Sequence, residues 1–178
     1  YRGPREKIER RLGEKLGLKG ERSNSPKAAM VKRPYAPGQH GPTARPRKLS
    51  EFGSQLRSKQ KIRNIYRLLE KPLKMTVKKA LSRRAESPYQ SIVQALETRL
   101  DNVVFRTGFA QSRDQARQVV GHGHITLNGR RAKTPSIAVR VGDRIGIVER
   151  SRKLPYFSTL MPRWFEQSTP PSWLEVDK

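Results

Sequence analysis

The sequence predicts an α+β fold in which two helices are followed by a small antiparallel sheet. Apolar residues recur at helical spacing between Ile92 and Val104, and a second helical pattern begins at Ser112. Short apolar alternations then follow, separated by tight-turn dipeptides of which Asn128-Gly129 is the strongest. A basic helical part and an extended basic arm precede this module.

The charge of the chain predicts a polyanionic partner. Its 178 residues include 39 lysines and arginines against 15 aspartates and glutamates, a net charge of +24 that would repel itself unless it were neutralised. Nucleic acid, an anionic membrane or an acidic protein could neutralise it. The sequence has no run of 18 apolar residues and no long basic amphipathic face, so membrane attachment is not expected.

Cysteine is absent from the chain. Its absence excludes disulfides, thiolate zinc sites and thiol nucleophiles, and it suits a reducing compartment. The first residue is Tyr1, and Glu6, Glu9 and Glu14 interrupt any transit-like segment. We therefore expect a protein that works in the compartment where it is made.

Turn signals and a falling density of positive charge divide the chain into four parts. We expect a basic arm over residues 1–48, a helical subdomain over 49–91, the module of helices and sheet over 92–150, and a nearly neutral tail over 151–178.

The basic arm combines a short helix with a segment rich in helix breakers. Ile8, Leu12 and Leu16 have helical spacing and predict a helix over residues 5–18. Five prolines and two glycines within residues 23–47 are too many for a helix or a central strand. This second segment is therefore expected to be extended.

Two helices are predicted in the helical subdomain. Ser50 has the side chain of an N-cap for the first, which is expected to reach about Glu70. The second is expected over residues 76–84. Along the first helix, the apolar positions are Ile62, Ile65, Tyr66 and Leu69, and the cationic positions are Arg57, Lys59, Lys61, Arg63 and Arg67.

Both helices of the module begin with a capping signal. Ser87-Pro88-Tyr89-Gln90 supplies an N-cap, a proline at the first helical position and a glutamine three residues after the cap. One helix is expected from there to Gly108. Ser112 and Gln115 repeat the signal for a helix that ends at Gly121.

Three strands are expected to form the antiparallel sheet. They are predicted over Ile125–Leu127 and over residues 137–141 and 144–149. Asn128-Gly129 and Gly142-Asp143 have the composition of the tight turns that join such strands.

The second helix of the module carries arginine and amide side chains. Arg113 and Arg117 lie four residues apart and share a face, where two guanidinium groups can bind phosphate oxygens bidentately. Gln115 and Gln118 add donors and acceptors for sugar or base edges. A solvated helix face without a ligand is the alternative, which the charge of the chain disfavours.

Arg99 has two possible roles. Together with Arg106 on the preceding helix, it would extend the basic surface. The sequence equally allows Arg99 to pair with Asp101 or Asp114, which would make its role structural.

A metal site and a catalytic site have little support. His122 and His124 stand two residues apart, but the chain has only three histidines, no cysteine and no carboxylate cluster beside them. Hydrogen bonding or stacking on a nucleotide is therefore favoured over metal ligation. Phosphate-binding glycine loops and a recognisable Ser/His/Asp spacing are missing too, so no enzyme activity, metal or cofactor is expected.

Aromatic residues are too few for a platform that stacks single-stranded bases. They make up 7% of the chain, and Tyr66 and Phe105 occupy inward helical positions. We therefore expect recognition of folded RNA through its backbone and shape.

A close resemblance to the α-L RNA-binding module is carried by the segment LETRLDNVVFRTGFAQSRDQARQVVGHGHITLNGR. With YAPGQHG at residues 35–41, QLRSKQKIRNIY at 55–66 and the opening YRGPR, the whole chain resembles the family of small-subunit ribosomal protein number four, of bacterial or organellar type. The module alone also occurs in pseudouridine synthases and a tyrosyl-tRNA synthetase. The helical part and the arm make the ribosomal resemblance specific.

The resemblance implies a primary rRNA-binding protein. Such a protein orders a junction in the 5′ domain of small-subunit rRNA, nucleates subunit assembly and supports translational accuracy near the mRNA entrance. The implied partners are this rRNA, small-subunit ribosomal protein number five and the mRNA, and the implied location is the cytoplasm of a bacterium or an organellar ribosome. The RNA-contacting positions that the resemblance implies are Arg2, Arg5, Arg10, Arg11, Gln39, His40, Lys59, Lys61, Arg63, Arg67, Arg99, Ser112, Arg113, Gln115, Arg117, Gln118, His122, His124 and Arg130.

Two departures from the family change these expectations. Many relatives carry cysteines in the arm that can hold zinc, whereas this arm must be ordered by RNA or by packing alone. Relatives usually continue beyond the final WLEVDK with a segment that returns to the helical part. The tail over residues 151–178 is expected to pack back on the helical subdomain as well.

Two other classes of function compete with a ribosomal role. An RNA-modifying enzyme that used the module as a handle would need a catalytic domain, for which the 178 assigned residues leave no room. A free RNA chaperone outside the ribosome would share the charge and the module. Cosedimentation with salt-washed small subunits would separate these cases.

Overall fold

The computed structural model describes residues 3–43, 48–82 and 87–177. It forms two compact units, Tyr1–Leu73 and Lys74–Lys178. Helices precede a small antiparallel sheet, so the predicted α+β class is confirmed. The division into four parts stays a prediction.

The first unit is built of helices. They are α1 (Arg5–Leu12), a 3₁₀ turn (Gly20–Asn24), α2 (Ala29–Lys32), α3 (Glu51–Ile65) and the first residues of α4 (Glu70–Leu81).

Helix α1 is shorter than predicted because Gly13 ends it. Gly13 has a φ of 64°, in the left-handed region, and its N–H donates to the carbonyl of Glu9. This is a common way for a helix to end at glycine. Leu16, which was expected to continue the apolar face, therefore lies beyond the helix.

The chain after α1 is folded against it by two neighbouring side chains of opposite charge. The Glu9 carboxylate is buried and accepts hydrogen bonds from the backbone N–H groups of Leu16 and Leu18, both at 3.1 Å. Arg10 Nε lies 3.0 Å from the carbonyl oxygens of Arg33 and Tyr35, and the guanidinium stacks 5.0 Å from the centre of the Tyr35 ring.

The prediction that this segment of the arm is extended is therefore wrong for part of it. It contains the 3₁₀ turn and α2, and Ala28 between them is buried. The prolines remain outside both helical pieces, which explains why the pieces are so short. Packing on α1 supplies order to this cysteine-free arm, and its residues 44–47 lie outside the described residues.

Helix α3 begins as predicted and ends earlier. Ser50 Oγ accepts a hydrogen bond from the N–H of Gly53 at 3.1 Å. At the other end Arg67 has a φ of 54°, and the N–H groups of Arg67 and Leu68 donate to the carbonyls of Asn64 and Arg63. This is a Schellman motif with arginine where glycine is usual, so no glycine marks the end of the helix before Glu70.

The early end of α3 changes which apolar residues are buried. Leu68 and Leu73 are buried, whereas Ile62 and Leu69, predicted to share an apolar face, are 41% and 59% exposed. Helix α4 begins at Glu70, six residues before the predicted start at position 76. The predicted end at position 84 lies outside the described residues.

In the second unit, two helices lie where the sequence predicts a single helix up to Gly108. They are α5 (Pro88–Glu97) and α6 (Leu100–Arg106). Between them Arg99 is extended and forms a β-bridge with Ala138, flanked by hydrogen bonds from Leu100 N–H to the carbonyl of Ile137 and from Val139 N–H to that of Thr98, both at 2.8 Å. The helix breaks because a distant segment pairs with its backbone at this point.

The same pairing explains an error in the predicted sheet. Residues 137–139 are used at the helix break and do not form the predicted strand. The sheet consists of β1 (Ile125–Leu127), β2 (Arg130–Ala132) and β3 (Ile145–Ile147) in the order β2-β1-β3, antiparallel throughout. Asn128 and Gly129 have positive φ angles of 52° and 78°, which suits the predicted two-residue hairpin turn.

Helix α7 (Arg113–Gly121) packs with α6 and β1 around one apolar core, to which the tail also contributes. Ser112 Oγ accepts the N–H of Gln115 at 3.3 Å, so the predicted helix start is confirmed. The tail forms α8 (Glu149–Arg152), a π-helical turn (Tyr156–Leu160) and α9 (Pro162–Phe165). The buried core residues are Leu100, Val104, Ala110, Ala116, Val119, Val120, Ile125, Ala132, Phe157 and Met161.

The tail thus contributes to the core of the module, whereas the prediction places it on the helical subdomain. The Tyr156 hydroxyl donates to the carbonyl of Phe109 at 2.8 Å, and burial raises the pKa of Tyr156 to about 12. Among the helices that the structure describes, none is long and apolar enough to cross a membrane.

The contacts of Glu9 predict a local loss of order in the Glu9→Ala variant. Each of the two orphaned N–H groups should cost about 1–3 kcal/mol. Hydrogen exchange on the full chain should show faster exchange at the amides of Leu16 and Leu18. Glu21→Ala, which removes an exposed carboxylate from the same unit, should leave both amides protected; equal exchange in the two variants would contradict the assignment.

Candidate nucleic-acid interface

A buried carboxylate organises the surface formed by α6 and α7. Asp101 is 2% exposed. Arg99 binds it through Nε at 3.1 Å and Nη2 at 2.9 Å, and Arg117 binds its Oδ2 through Nε at 3.1 Å and Nη2 at 2.7 Å. Of the two roles considered for Arg99, the structure shows the pairing with Asp101. The carboxylate thereby links the helix break to α7.

Arg113 is held by two different contacts with α6. Its Nε donates to Asn102 Oδ1 at 2.7 Å, and its guanidinium carbon lies 4.5 Å from the centre of the Phe105 ring. Asn102 is 1% exposed and donates in turn to the backbone and the carboxylate of Glu97, which also binds Arg106. The orientation of the Arg113 guanidinium is therefore set by a buried network. Both the charged hydrogen bond and the cation–π contact stabilise this orientation.

Ser112 and Gln115 have local structural roles. Ser112 caps α7, and Gln115 Oε1 accepts the N–H of Gln111 at 2.8 Å. Gln118, on the same helix, is exposed. The two amides that are predicted to bind together thus have different roles. Gln115 stabilises the start of the helix, whereas Gln118 faces solvent.

The two histidines after α7 also have different surroundings. His122 is exposed, while His124 Nδ1 lies 3.0 Å from Oγ of the buried Ser151. Burial, and then the positive charges of nearby groups, lower the pKa of His124. Within residues 3–43, 48–82 and 87–177, no group of three or more histidine, aspartate and glutamate side chains could hold a metal ion.

Arg131 fixes the loop that carries these histidines. Its Nε and Nη2 donate to the carbonyls of Gly123 at 2.7 Å and His122 at 2.8 Å. Gly123 has a φ of 72°, in the left-handed region that favours glycine, and a Cβ at this position would lie 2.4 Å from Arg131 Nε and displace that side chain. Arg130 is predicted as an RNA contact and Arg131 is not, although a His-Gly-His turn close to two consecutive arginines is a signal that the sequence contains.

The RNA-contacting residues predicted in the first unit have different surroundings. Arg5, Arg11, Gln39 and His40 are exposed. Arg10 is bound to the arm, Lys61 pairs with Glu14, and Lys59 and Arg63 pair with Glu70 at 2.6 and 3.4 Å. Arg67 occupies the left-handed position that ends α3, and Arg2 lies outside the described residues.

Glu70 holds two cations beside the end of α3. A hydrogen bond from Lys59 is the main cause that lowers the pKa of this exposed carboxyl, and the charge of Arg63 acts in the same direction. Carboxylates therefore orient cations in both units. Asp101 is named from the sequence only as one possible partner of Arg99, and its contact with Arg117 is not predicted. Asn102, which orients Arg113, is not predicted at all.

Comparison with known proteins gives two family matches. Residues 1–97 match the model of the ribosomal protein S4/S9 N-terminal domain, and residues 98–145 match the S4 domain. The chain is 49% identical to small ribosomal subunit protein uS4 of Kosmotoga olearia and 48% identical to the protein of the same name in Heliobacterium modesticaldum. Both alignments span 177 residues, which are 99% of this chain and 83% of the relative.

The contacts of Asp101 predict a large loss of stability in the Asp101→Asn variant. An amide cannot neutralise two arginines in a buried position, and breaking such a pair typically costs about 3–5 kcal/mol. Chemical denaturation should show this loss for the second unit. Asp177→Asn, at an exposed position in the same unit, should unfold at the denaturant concentration of the unaltered chain.

The surroundings of His124 predict that the second unit loses stability as the pH falls. In the unfolded chain His124 takes up a proton near its ordinary pKa of 6.5, whereas the folded chain takes it up only at lower pH. Stability should therefore begin to fall near pH 6.5 and continue to fall down to the folded pKa. Thermal denaturation between pH 7.5 and 5 should show a weaker dependence in His124→Gln and an unaltered one in His40→Gln; equal slopes in all three proteins would refute the prediction.

Proposed function

The chain belongs to the family of small ribosomal subunit protein uS4, and on this premise we propose that it binds and orders a junction in the 5′ domain of small-subunit rRNA. The family is one of structural, non-enzymatic constituents of the small ribosomal subunit, and its S4 domain binds rRNA. What remains to be argued is how the side chains of this protein would recognise a folded RNA.

The observation that carries the proposal is the fixed orientation of Arg113 and Arg117 on α7. Both guanidinium groups are held from α6, by Asn102 and Phe105 in one case and by Asp101 in the other. Arginine side chains that are oriented before binding lose less conformational entropy when they contact phosphate. The pair can therefore recognise the spacing of phosphates in a folded RNA.

The other basic residues are expected to raise the affinity for RNA rather than to recognise its shape. With a net charge of +24, contacts with phosphates would release many counterions, and binding should weaken steeply as salt increases. Neutralising ~6–10 phosphates on the duplex-DNA scale corresponds to a loss of ~10³–10⁵ in affinity between 50 and 200 mM salt. The exposed Gln118, His122 and Arg130 lie where they can add contacts to sugar or base edges.

The family resemblance also supports the finer parts of the proposal. These are nucleation of subunit assembly, support of translational accuracy, and contacts with small-subunit ribosomal protein number five and with mRNA near its entrance. We place this ribosome in the cytoplasm of a bacterium or in an organelle. The remaining positions named from the resemblance are proposed contacts of the same rRNA.

The proposal predicts that Arg113→Ala/Arg117→Ala loses preference for its cognate RNA. The full chain and this variant would be titrated with a transcript of the small-subunit rRNA 5′ domain and with an unrelated folded RNA across a salt series. The unaltered chain should prefer the cognate transcript even at high salt, and the variant should bind both RNAs alike, because it keeps most of the charge and loses the oriented pair.

Two controls make this result interpretable. Arg152→Ala/Arg163→Ala removes two exposed arginines from the tail and should keep the preference with a slightly smaller salt slope. Arg117→Lys keeps the charge and the contact with Asp101 but loses the planar fork, so it should fold and lose part of the preference. Equal binding of both RNAs by the unaltered chain would overturn the proposal.

A further inference from the structure

The first unit contains a groove between α1 and α3 with an apolar floor. Its volume is about 280 Å³, close to the lower end of the roughly 300–1,000 Å³ range of small-molecule sites. Ile8 and Leu12 of α1 face Leu56 of α3 across it, and the amides of Gln60 and Asn64 lie farther along the same face of α3. A narrow site with an apolar floor and a few amides suits one planar group that carries hydrogen-bonding edges.

Positive charge surrounds the apolar floor. Lys7 and Arg11 line the groove from α1, and Arg57 and Arg63 line it from α3, while no carboxylate is among the described residues that line it. Arg57 is anchored by donating to the carbonyl of Leu12 at the end of α1. Such a lining favours a ligand that is apolar in the middle and negatively charged at its edge.

Arg63, which lines the groove, has one unsatisfied hydrogen-bond donor. Its Nη1 pairs with Glu70 at 3.4 Å, but its Nε is buried and has no hydrogen-bond partner within the described part of the chain. Buried donors are almost always satisfied, and an unsatisfied one costs about as much as a lost hydrogen bond. Because this N–H is sealed from solvent, a ligand of the groove can accept from it only after the guanidinium shifts toward the groove.

From these observations we propose that the groove between α1 and α3 binds one unstacked nucleotide of RNA. The base lies on Ile8, Leu12 and Leu56, and the cations bind its phosphate. The Gln60 amide contacts the edge of the base, together with Oδ1 of Asn64, whose Nδ2 already donates to the carbonyl of Gln60 at 2.8 Å. The inference rests on the proposed function, because it takes the RNA to be small-subunit rRNA. It adds a site that holds a single base in the first unit, separate from the guanidinium pair of α7.

The charge of the groove favours RNA over a protein segment. An acidic peptide could bind the four cations, but its side chains would then lie at the rim and leave the apolar floor and the amides without a matching group. A nucleotide provides the flat apolar face, the hydrogen-bonding edge and the phosphate within one residue. A looped-out base of a folded RNA is such a residue.

Filling the groove without changing its charge tests the proposal. Leu56→Trp places a large side chain on the floor at a position that is 39% exposed, so the unit should tolerate it. Leu69→Trp makes the same substitution at a 59% exposed leucine that does not line the groove. Each protein would be bound to the rRNA 5′ domain transcript, and the complexes would be probed chemically at every nucleotide.

We expect Leu56→Trp to bind about tenfold more weakly with an unaltered salt slope. One nucleotide, or two adjacent ones, protected by the unaltered chain should become reactive in the Leu56→Trp complex, while the remaining footprint persists. Leu69→Trp should match the unaltered chain in affinity and footprint. Gln60→Ala, compared with Gln55→Ala on the exposed side of α3, should expose the same nucleotides and gives a second reading if Leu56→Trp folds poorly.

Two results would overturn the inference without affecting the proposed function. One is a Leu56→Trp protein with the affinity and footprint of the unaltered chain. Another is a Leu56→Trp protein that binds the transcript normally but fails to join subunits when the other ribosomal proteins are present, since the groove would then hold a protein segment. Failure of the proposed function is recognised separately, because the unaltered chain would then not prefer the cognate transcript.

Discussion

The hydrogen-bonded ion pairs of Asp101 are the constraint on which the second unit depends. Asp101 lies at the start of α6, where its backbone N–H donates to the carbonyl of Pro135 at 3.1 Å, and its carboxylate binds Arg99 and Arg117. One buried residue therefore joins the helix break, the segment that pairs with it and α7. A buried charge is tolerated only when it is fully paired, so these three elements must adopt their arrangement together.

The first unit uses the same principle at α1. Glu9 binds the segment that directly follows the helix, and Arg10 binds a later segment of the arm. Two consecutive residues of opposite charge thus hold two different segments against α1. In a chain with 39 basic and 15 acidic residues, carboxylates are scarce. Glu9 and Asp101 are both buried and act as acceptors for specific donors, while most basic residues remain at the surface.

Local chemistry made part of the fold predictable. The caps at Ser50, Ser87 and Ser112 and the Asn128-Gly129 turn were predicted correctly because the stabilising contact lies within three residues. The break at Arg99 depends on pairing with Ala138, and no local pattern indicates a partner so far along the chain. In the site, the spacing of Arg113 and Arg117 predicts that they share a face. The side chains that orient them lie on another helix, so this spacing does not predict them.

The contribution of Phe157 and Met161 to the core has a consequence for synthesis on the ribosome. As the nascent chain is made, α6, α7 and the sheet emerge before these two residues, so their apolar faces stay incompletely covered until position 161 has left the exit tunnel. Domains fold as units during translation, at about 5–20 residues per second. The second unit therefore completes its folding late, and its nascent form is exposed to chaperones and proteases for the time that the tail takes to emerge.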